Sequence, residues 1–190
     1  LINSILVRTK SLINYFISPI DNFIGSKLDN IIHQPIFIIG SPRTGSTLLI
    51  QSIAASLDLG YLTNLHCLFY GFPSLVEYLF HQTSKKRNKT FSSIYGDTKG
   101  LSSPCECGDF WYRFFSNSTN ERVKLNKTTS IGEFKNSIRC LMHAMKRPIV
   151  FKNLYASIRL KQLNIAFPKA LYIVTCRDEF DNAKSILSVR

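Results

Sequence analysis

Acidic residues are scarce in this chain: 12 Asp and Glu stand against 24 Lys and Arg, a formal charge of +12. The imbalance suits an anionic ligand, although solvated basic faces of a chain rich in lysine and asparagine account for it equally well. The densest basic cluster, Lys85-Lys86-Arg87-Asn88-Lys89, has no stacking aromatics interleaved and belongs to no recognisable module, so a nucleic-acid surface is not indicated. No run approaches the roughly eighteen apolar residues that span a bilayer. Cysteine occurs at positions 67, 105, 107, 140 and 176 only. That is too irregular for a disulfide framework, and Cys105-x-Cys107 lacks the second pair or histidine partner of a zinc site. A reduced intracellular compartment, the cytoplasm, is the default expectation, with the Golgi lumen the alternative for a eukaryotic source. Three Asn-x-Ser/Thr sequons, at Asn88, Asn117 and Asn126, are about what chance gives in so polar a chain and do not establish a secretory route.

What remains is globular: 45% apolar and 19% charged residues over 190 positions, enough for one domain with a real core. Residue 1 is Leu, and the sequence stops at Arg190 inside a helical pattern, so we expect an incomplete domain. Residues 1–34 form an N-terminal amphipathic helical segment. Ile2, Ile5, Leu6, Leu12, Ile13, Phe16 and Ile17 share one helical face, which suits packing on the domain, the remnant of a longer N-terminal region, or contact with a membrane surface. From residue 35 onward strands alternate with helices. Expected strands are Ile36–Ile39, Tyr61–Thr63, Pro148–Phe151 and Leu171–Thr175; expected helices are Leu48–Leu57, one from Pro73 to Phe80, one from Ile131 to Met145, Ile158–Phe167, and one after Asp178. Residues 82–104 and 116–130 read as polar loops. Phe110, Trp111, Phe114 and Phe115 lie at helical spacing and read as core. The pattern predicts an α/β fold, a three-layer sandwich with a central parallel sheet.

Ile36-Phe37-Ile38-Ile39-Gly40-Ser41-Pro42-Arg43-Thr44-Gly45-Ser46-Thr47 is the most informative stretch. A buried strand runs into a turn-forming loop whose glycines are five residues apart, and then a helix begins. The spacing is that of a phosphate-binding loop, G-x-x-x-x-G-K-[S/T], with Ser46 in the lysine slot and Arg43 as the loop's cation. Backbone N–H groups from Ser41 to Thr47 and the positive end of the helix are suited to an anion. Arg43 is suited to clamping its oxygens in bidentate fashion. Glycines 40 and 45 are expected to let the backbone approach a phosphate closely. A second element, Leu171 to Ser185, delivers Arg177 to the C-terminal edge of a strand and Ser185 two turns into the following helix. With the first loop it suggests a ligand carrying two separated phosphate-type groups.

These two elements together resemble the sulfotransferases that use 3′-phosphoadenosine-5′-phosphosulfate (PAPS). Pro42-Arg43-Thr44-Gly45-Ser46-Thr47 resembles that family's P-R-S-G-T-T loop, and Cys176-Arg177-Asp178 with Ser185 resembles its R-D-P element and helix serine, with Glu179 in place of the proline. Gly60-Tyr61-Leu62-Thr63-Asn64-Leu65 and the stretch from Tyr95 to Trp111 are similar to a bacterial-type subgroup, whose E-P-H-E-F reads here Ser103-Pro104-Cys105-Glu106-Cys107. Phe151-Lys152-Asn153 matches the family's F-K-N-P.

The resemblance implies sulfuryl transfer from PAPS to a hydroxyl or amine of a small-molecule or carbohydrate acceptor, with no metal required. It assigns Ser41, Arg43, Thr44, Gly45, Ser46, Thr47, Arg177 and Ser185 to the donor, Arg43 and Lys152 to charge stabilisation, and Glu106 to the base. His66 and His143 are alternative bases, an exposed helix N-terminal glutamate is the alternative for Glu106, and a snorkelling surface position is the alternative for Lys152. Two competing functions stand beside this one. A P-loop kinase or NTPase is disfavoured because Ser46 fills the lysine slot and no strand ends in a magnesium-holding Asp. A non-catalytic nucleotide-binding module is motivated by Cys105 in the histidine position. Tyr70, Phe72 and Trp111 are suited to stacking on a sugar or to core packing.

Overall fold

The computed structural model describes residues 2–29, 33–80, 91, 93–94, 96–115 and 131–188. In chain order, α1 (Ile2–Lys27) leads to β1 (Ile36–Gly40), α2 (Ser46–Ser56) and β2 (Gly60–Tyr61). Next come α3 (Asn64–Leu68), α4 (Pro73–Phe80), and the hairpin strands β3 (Ser93–Ile94) and β4 (Asp97–Thr98). The remainder runs through α5 (Gly108–Tyr112), α6 (Ile131–Met145), β5 (Ile149–Lys152), a 3-10 turn (Leu154–Arg159), α7 (Leu160–Ala166), β6 (Leu171–Thr175) and α8 (Glu179–Leu187). The loops expected at 82–90 and 116–130 lie outside the described residues.

Four strands make one parallel sheet in the order β2-β5-β1-β6. The β-branched and aromatic run of β1 puts it in the middle, paired with β5 from Ile36↔Val150 to Ile38↔Lys152 and with β6 from Ile36↔Leu171 to Gly40↔Thr175. Its alternate side chains enter different cores. Phe37 stacks at 5.7 Å on both Phe151 and Tyr172 and meets Trp111 edge-on at 6.2 Å. Ile38 faces the other way, onto Ile50, Ile53 and Ala54 of α2 with Tyr61 and Val150. These are the two outer layers of an α/β sandwich, as the strand-helix alternation predicts.

The aromatic layer is the larger one. Phe110, Trp111, Phe114, Phe115 and Phe134 are all buried, each burial worth about 1.5–3 kcal/mol of transfer free energy. Trp111 is core and offers no face to a ligand. The strand expected at Tyr61–Thr63 is shorter, because Thr63 turns away to cap α3: its N–H donates to His66 Nδ1 at 3.0 Å in a capping box. The helix expected at Ile158–Phe167 starts earlier, as the 3-10 turn from Leu154.

The first helix runs to Lys27 and packs against α6, but it is turned inside out relative to its sequence pattern. Its domain-facing side carries Asn14, Asp21 and Gly25, while Ile5, Leu12, Ile13, Phe16, Ile20 and Phe23 are exposed. Specific polar contacts fix this orientation. Asn14 Nδ2 donates to the Leu68 carbonyl at 2.8 Å, its Oδ1 accepts from Gly71 N at 2.6 Å, and Asp21 pairs with Arg113 at 3.4 Å and accepts from Ser137 Oγ. Gly25 lies so close to α6 that a Cβ there would sit 2.1 Å from the Asn136 carbonyl. The apolar stripe is therefore not the face of α1 that packs on the domain.

Candidate functional site

The loop after β1 is shaped by close approach of the neighbouring strand. Gly40 has φ 140°, and a Cβ there would lie 2.4 Å from the Thr175 carbonyl oxygen. Glycine is required at this position by the end of β6, a reason that the spacing of the two glycines does not reveal. Arg43 (φ 68°) and Gly45 (φ 86°) then curl the chain through left-handed conformations. Gly45 precedes α2 without any side-chain cap, so the first N–H groups of that helix are directed to whatever occupies the loop.

The second element comes down on this loop rather than standing apart from it. Arg43 Nε donates to Ser185 Oγ at 3.0 Å, and Arg177 Nη1 donates to the Arg43 carbonyl at 3.3 Å. Asn182 Nδ2 donates to the Pro42 carbonyl at 2.8 Å. Thr44 Oγ1 donates to the Ser41 carbonyl at 2.8 Å and stands 2.7 Å from Thr175 Oγ1. Ser46 is buried as the first residue of α2.

Lys152 ends β5 with its ammonium turned inward, only 5% exposed, so it is not a snorkelling surface lysine. Nζ donates to Thr47 Oγ1 at 2.8 Å and pairs with Glu106 Oε1 at 2.5 Å. Glu106 is in turn held through its backbone, its carbonyl accepting from Trp111 Nε1 at 3.1 Å. The buried indole thus places the carboxylate that faces the lysine.

Two cavities meet here. One, of about 320 Å³, is lined by Arg43, Gly45, Thr47, Lys152, Arg177 and Glu106. The other, of about 570 Å³, is lined by Asn64, Cys67, Thr98, Cys105, Glu106 and Cys107 among others. Gly96, in the β3–β4 turn, and Glu106 line both. Three cations against one acid, beside an uncapped helix N-terminus, form a donor set for an anion carrying several oxygens. The second cavity gives a co-reactant a place next to Glu106.

Neither histidine enters these cavities. His66 is buried, with Nε2 3.2 Å from Glu77 Oε1 and Nδ1 in the α3 cap. His143 lies on α6. Among the described residues no group of three or more His, Cys, Asp and Glu is placed to hold a metal ion, and no helix is long and apolar enough to cross a membrane.

Sequence reasoning missed Asn182, Thr175, Trp111 and Asn64 as site-building residues. Thr175 and Asn182 lie inside the second motif and flank its arginine, a signal that was legible. Asn64, whose Nδ2 ties α3 to the Thr98 and Gly100 carbonyls at 2.8 and 2.9 Å, gave no signal of that contact.

A family model described as the Sulfotransferase family matches residues 35–189. Among solved structures, a sulfotransferase from Mycobacterium tuberculosis H37Rv is similar at 17% identity with a TM-score of 0.55, over 90% of this chain and 51% of that one. One from Mycobacterium avium is similar at 17% identity with a TM-score of 0.51, over 88% and 49% respectively. At such identity the likeness is one of fold. The chain spans about half the length of these structures. No curated protein matches it.

Proposed function

Since the chain belongs to the sulfotransferase family, we propose that it moves a sulfuryl group from PAPS to a hydroxyl or amine of a small-molecule or carbohydrate acceptor. The observation that carries this reading is the convergence of Arg43, Arg177, Thr47 and Lys152 on one cavity that shares Glu106 with its neighbour. The donor set fits the group: cations, hydroxyls and helix N–H groups match phosphate and sulfate oxygens, whereas a neutral ligand would leave them unmatched.

When bound, PAPS supplies an activated sulfuryl group and leaves as adenosine 3′,5′-bisphosphate. The chain's part is to hold and to neutralise. Ser41, Arg43, Thr44, Gly45, Ser46 and Thr47 cradle the 5′ side, and Arg177 and Ser185 take the 3′-phosphate. Lys152 offsets charge on the leaving phosphate oxygen, and Glu106 receives the acceptor's proton. Burial of the lysine ammonium strengthens its interaction with an anion relative to one in open water.

Adenosine 3′,5′-bisphosphate is the direct probe. At a hundredfold excess over its Kd it stabilises the native chain by about 2.7 kcal/mol, read as a rise in Tm that Arg43→Ala abolishes. No rise at millimolar ligand in a folded chain refutes donor binding. A larger rise with magnesium and ATP refutes it in favour of a P-loop kinase. The non-catalytic reading is favoured by one observation, Cys105 at the position of the family's histidine. Transfer of radiolabelled sulfate from PAPS decides between the two.

A further inference from the structure

Three of the cysteines meet at the wall of the larger cavity: Cys67 on α3, Cys105 just before Glu106, and Cys107 at the start of α5. Cys67 and Cys105 are 38 positions apart in the chain, yet their sulfurs are 2.7 Å apart, with both thiols free. Both are partly buried and border the cavity, so a small reagent entering it reaches them. Cys107 is buried behind them. Nothing in the spacing of the cysteines predicted this meeting; the capping of α3 and the turn before α5 create it.

The electrostatics divide the labour. Hydrogen bonds from the Cys105 and Cys107 thiols, aided by the charges of His66 and Lys10 and opposed by burial, pull the Cys67 thiol down to about 4 from 9.0. Hydrogen bonding with Cys107 pulls the Cys105 thiol down, but its bond to the Cys67 sulfur, burial and the Cys67 charge together outweigh this and push it up. Cys67 is thereby the nucleophile and Cys105 the resolving thiol.

We propose that Cys67 and Cys105 form a reversible dithiol–disulfide site whose oxidant is a low-molecular-weight disulfide, and that its oxidation state sets the cavity wall beside Glu106. The Cys67 thiolate attacks one sulfur of the small disulfide, expelling a small thiolate and leaving a mixed disulfide. Cys105 then loses its proton and attacks the Cys67 sulfur, releasing the second small thiol. Two protein thiols become one disulfide and one small disulfide becomes two thiols. Cys105 adjoins Glu106, so the bond ties the backbone that carries the carboxylate to α3. The consequence for Glu106 rests on the proposed sulfotransferase function; the disulfide itself does not.

The test incubates the whole chain with oxidised and reduced glutathione in varied ratio, quenches with a maleimide and maps the peptides by mass. The expected result is loss of two of the five thiols, a peptide pair joining Cys67 to Cys105, and full recovery with dithiothreitol. Cys67→Ser and Cys105→Ser each abolish the bond and Cys107→Ser keeps it, either of the first two sufficing if the other does not fold. Iodoacetamide should modify reduced Cys67 at a rate that changes less than about threefold from pH 9 to pH 6, where an ordinary thiol slows by about a hundredfold or more. Five modifiable thiols after oxidation, or a bond mapping to Cys107, Cys140 or Cys176, overturns the proposal. Bisphosphate binding is read on the same samples. Its absence with the disulfide present defeats the sulfotransferase reading alone, and its presence without the disulfide defeats this inference alone.

Discussion

Replacing each of the two loop glycines by alanine separates two physical causes that the sequence presents as one. At Gly40 an added Cβ would meet the Thr175 backbone oxygen at 2.4 Å and its Oγ1 at 2.5 Å, with φ at 140°. The backbone strain alone costs about 1–3 kcal/mol. Relief of the clash must push the end of β6 away, at the expense of the Thr175 Oγ1 hydrogen bond to the Ile39 carbonyl at 3.1 Å, worth about 1 kcal/mol. Gly40→Ala should therefore destabilise by about 2–4 kcal/mol, lowering Tm by about 4–16 °C for a chain of this size. At Gly45 a Cβ meets nothing within 4 Å, and only φ of 86° opposes it. Gly45→Ala should cost about 1–2 kcal/mol, or about 2–8 °C. Calorimetry or urea unfolding of the two variants reads the difference. Equal losses, or a larger loss at Gly45, would refute the argument that β6 dictates the first glycine.

Lys152→Met keeps the aliphatic stem but removes the ammonium between Thr47 and Glu106. Stability should change little, because the cost of burying the ammonium goes with it and the Glu106 carboxylate left behind is 33% exposed to water. Affinity for adenosine 3′,5′-bisphosphate should fall about tenfold to a hundredfold, and calorimetric titration showing unchanged affinity would remove Lys152 from the anion site. Asp21→Ala removes the carboxylate paired with Arg113 in the α1 interface, leaving the guanidinium only neutral acceptors, the Tyr70 carbonyl and Ser18 Oγ among them, and should cost about 3–5 kcal/mol by urea unfolding; a loss under 1 kcal/mol would mean that α1 is not held there. Burial pushes the Asp21 carboxyl above its ordinary 3.8, with Arg113 and the hydroxyls of Ser137 and Ser74 pulling it back. The folded state then holds this proton more tightly than the unfolded chain does. The group's contribution is fully present below 3.8 and is lost as pH rises through the raised value. Asp21→Asn should lack that part of the pH–stability curve.

Much of the sheet was legible because local chemistry and global position agree. Ile36 to Ile39 are β-branched or aromatic, as are all of Leu171 to Thr175 but the first, and turn-forming or polar residues lie close to both ends of each run. The loop after Ile39 carried its signature in glycine spacing, and the segment after β6 in an arginine and a serine two turns apart. Helix α6 was equally clear, with Phe134, Ile138, Leu141, Met142 and Met145 repeating at helical spacing and all buried. Where local pattern and tertiary demand disagreed, reading the pattern misplaced the side chains. The apolar stripe of α1 points outward because Asn14 and Asp21 have partners in the domain that only the folded chain supplies.

The sequence by itself determined the alternation of strands and helices, the glycine-spaced loop after β1, and the residue types within it, since each depends on neighbours within a few positions. Tertiary structure alone decided how those pieces meet. It set Arg43 against Ser185 across 142 positions and Lys152 against Glu106 at 2.5 Å. It also brought two cysteines into contact beside the carboxylate. Distances of that kind arise from the order of strands in the sheet and the packing of helices on it. No stretch of chain records them locally.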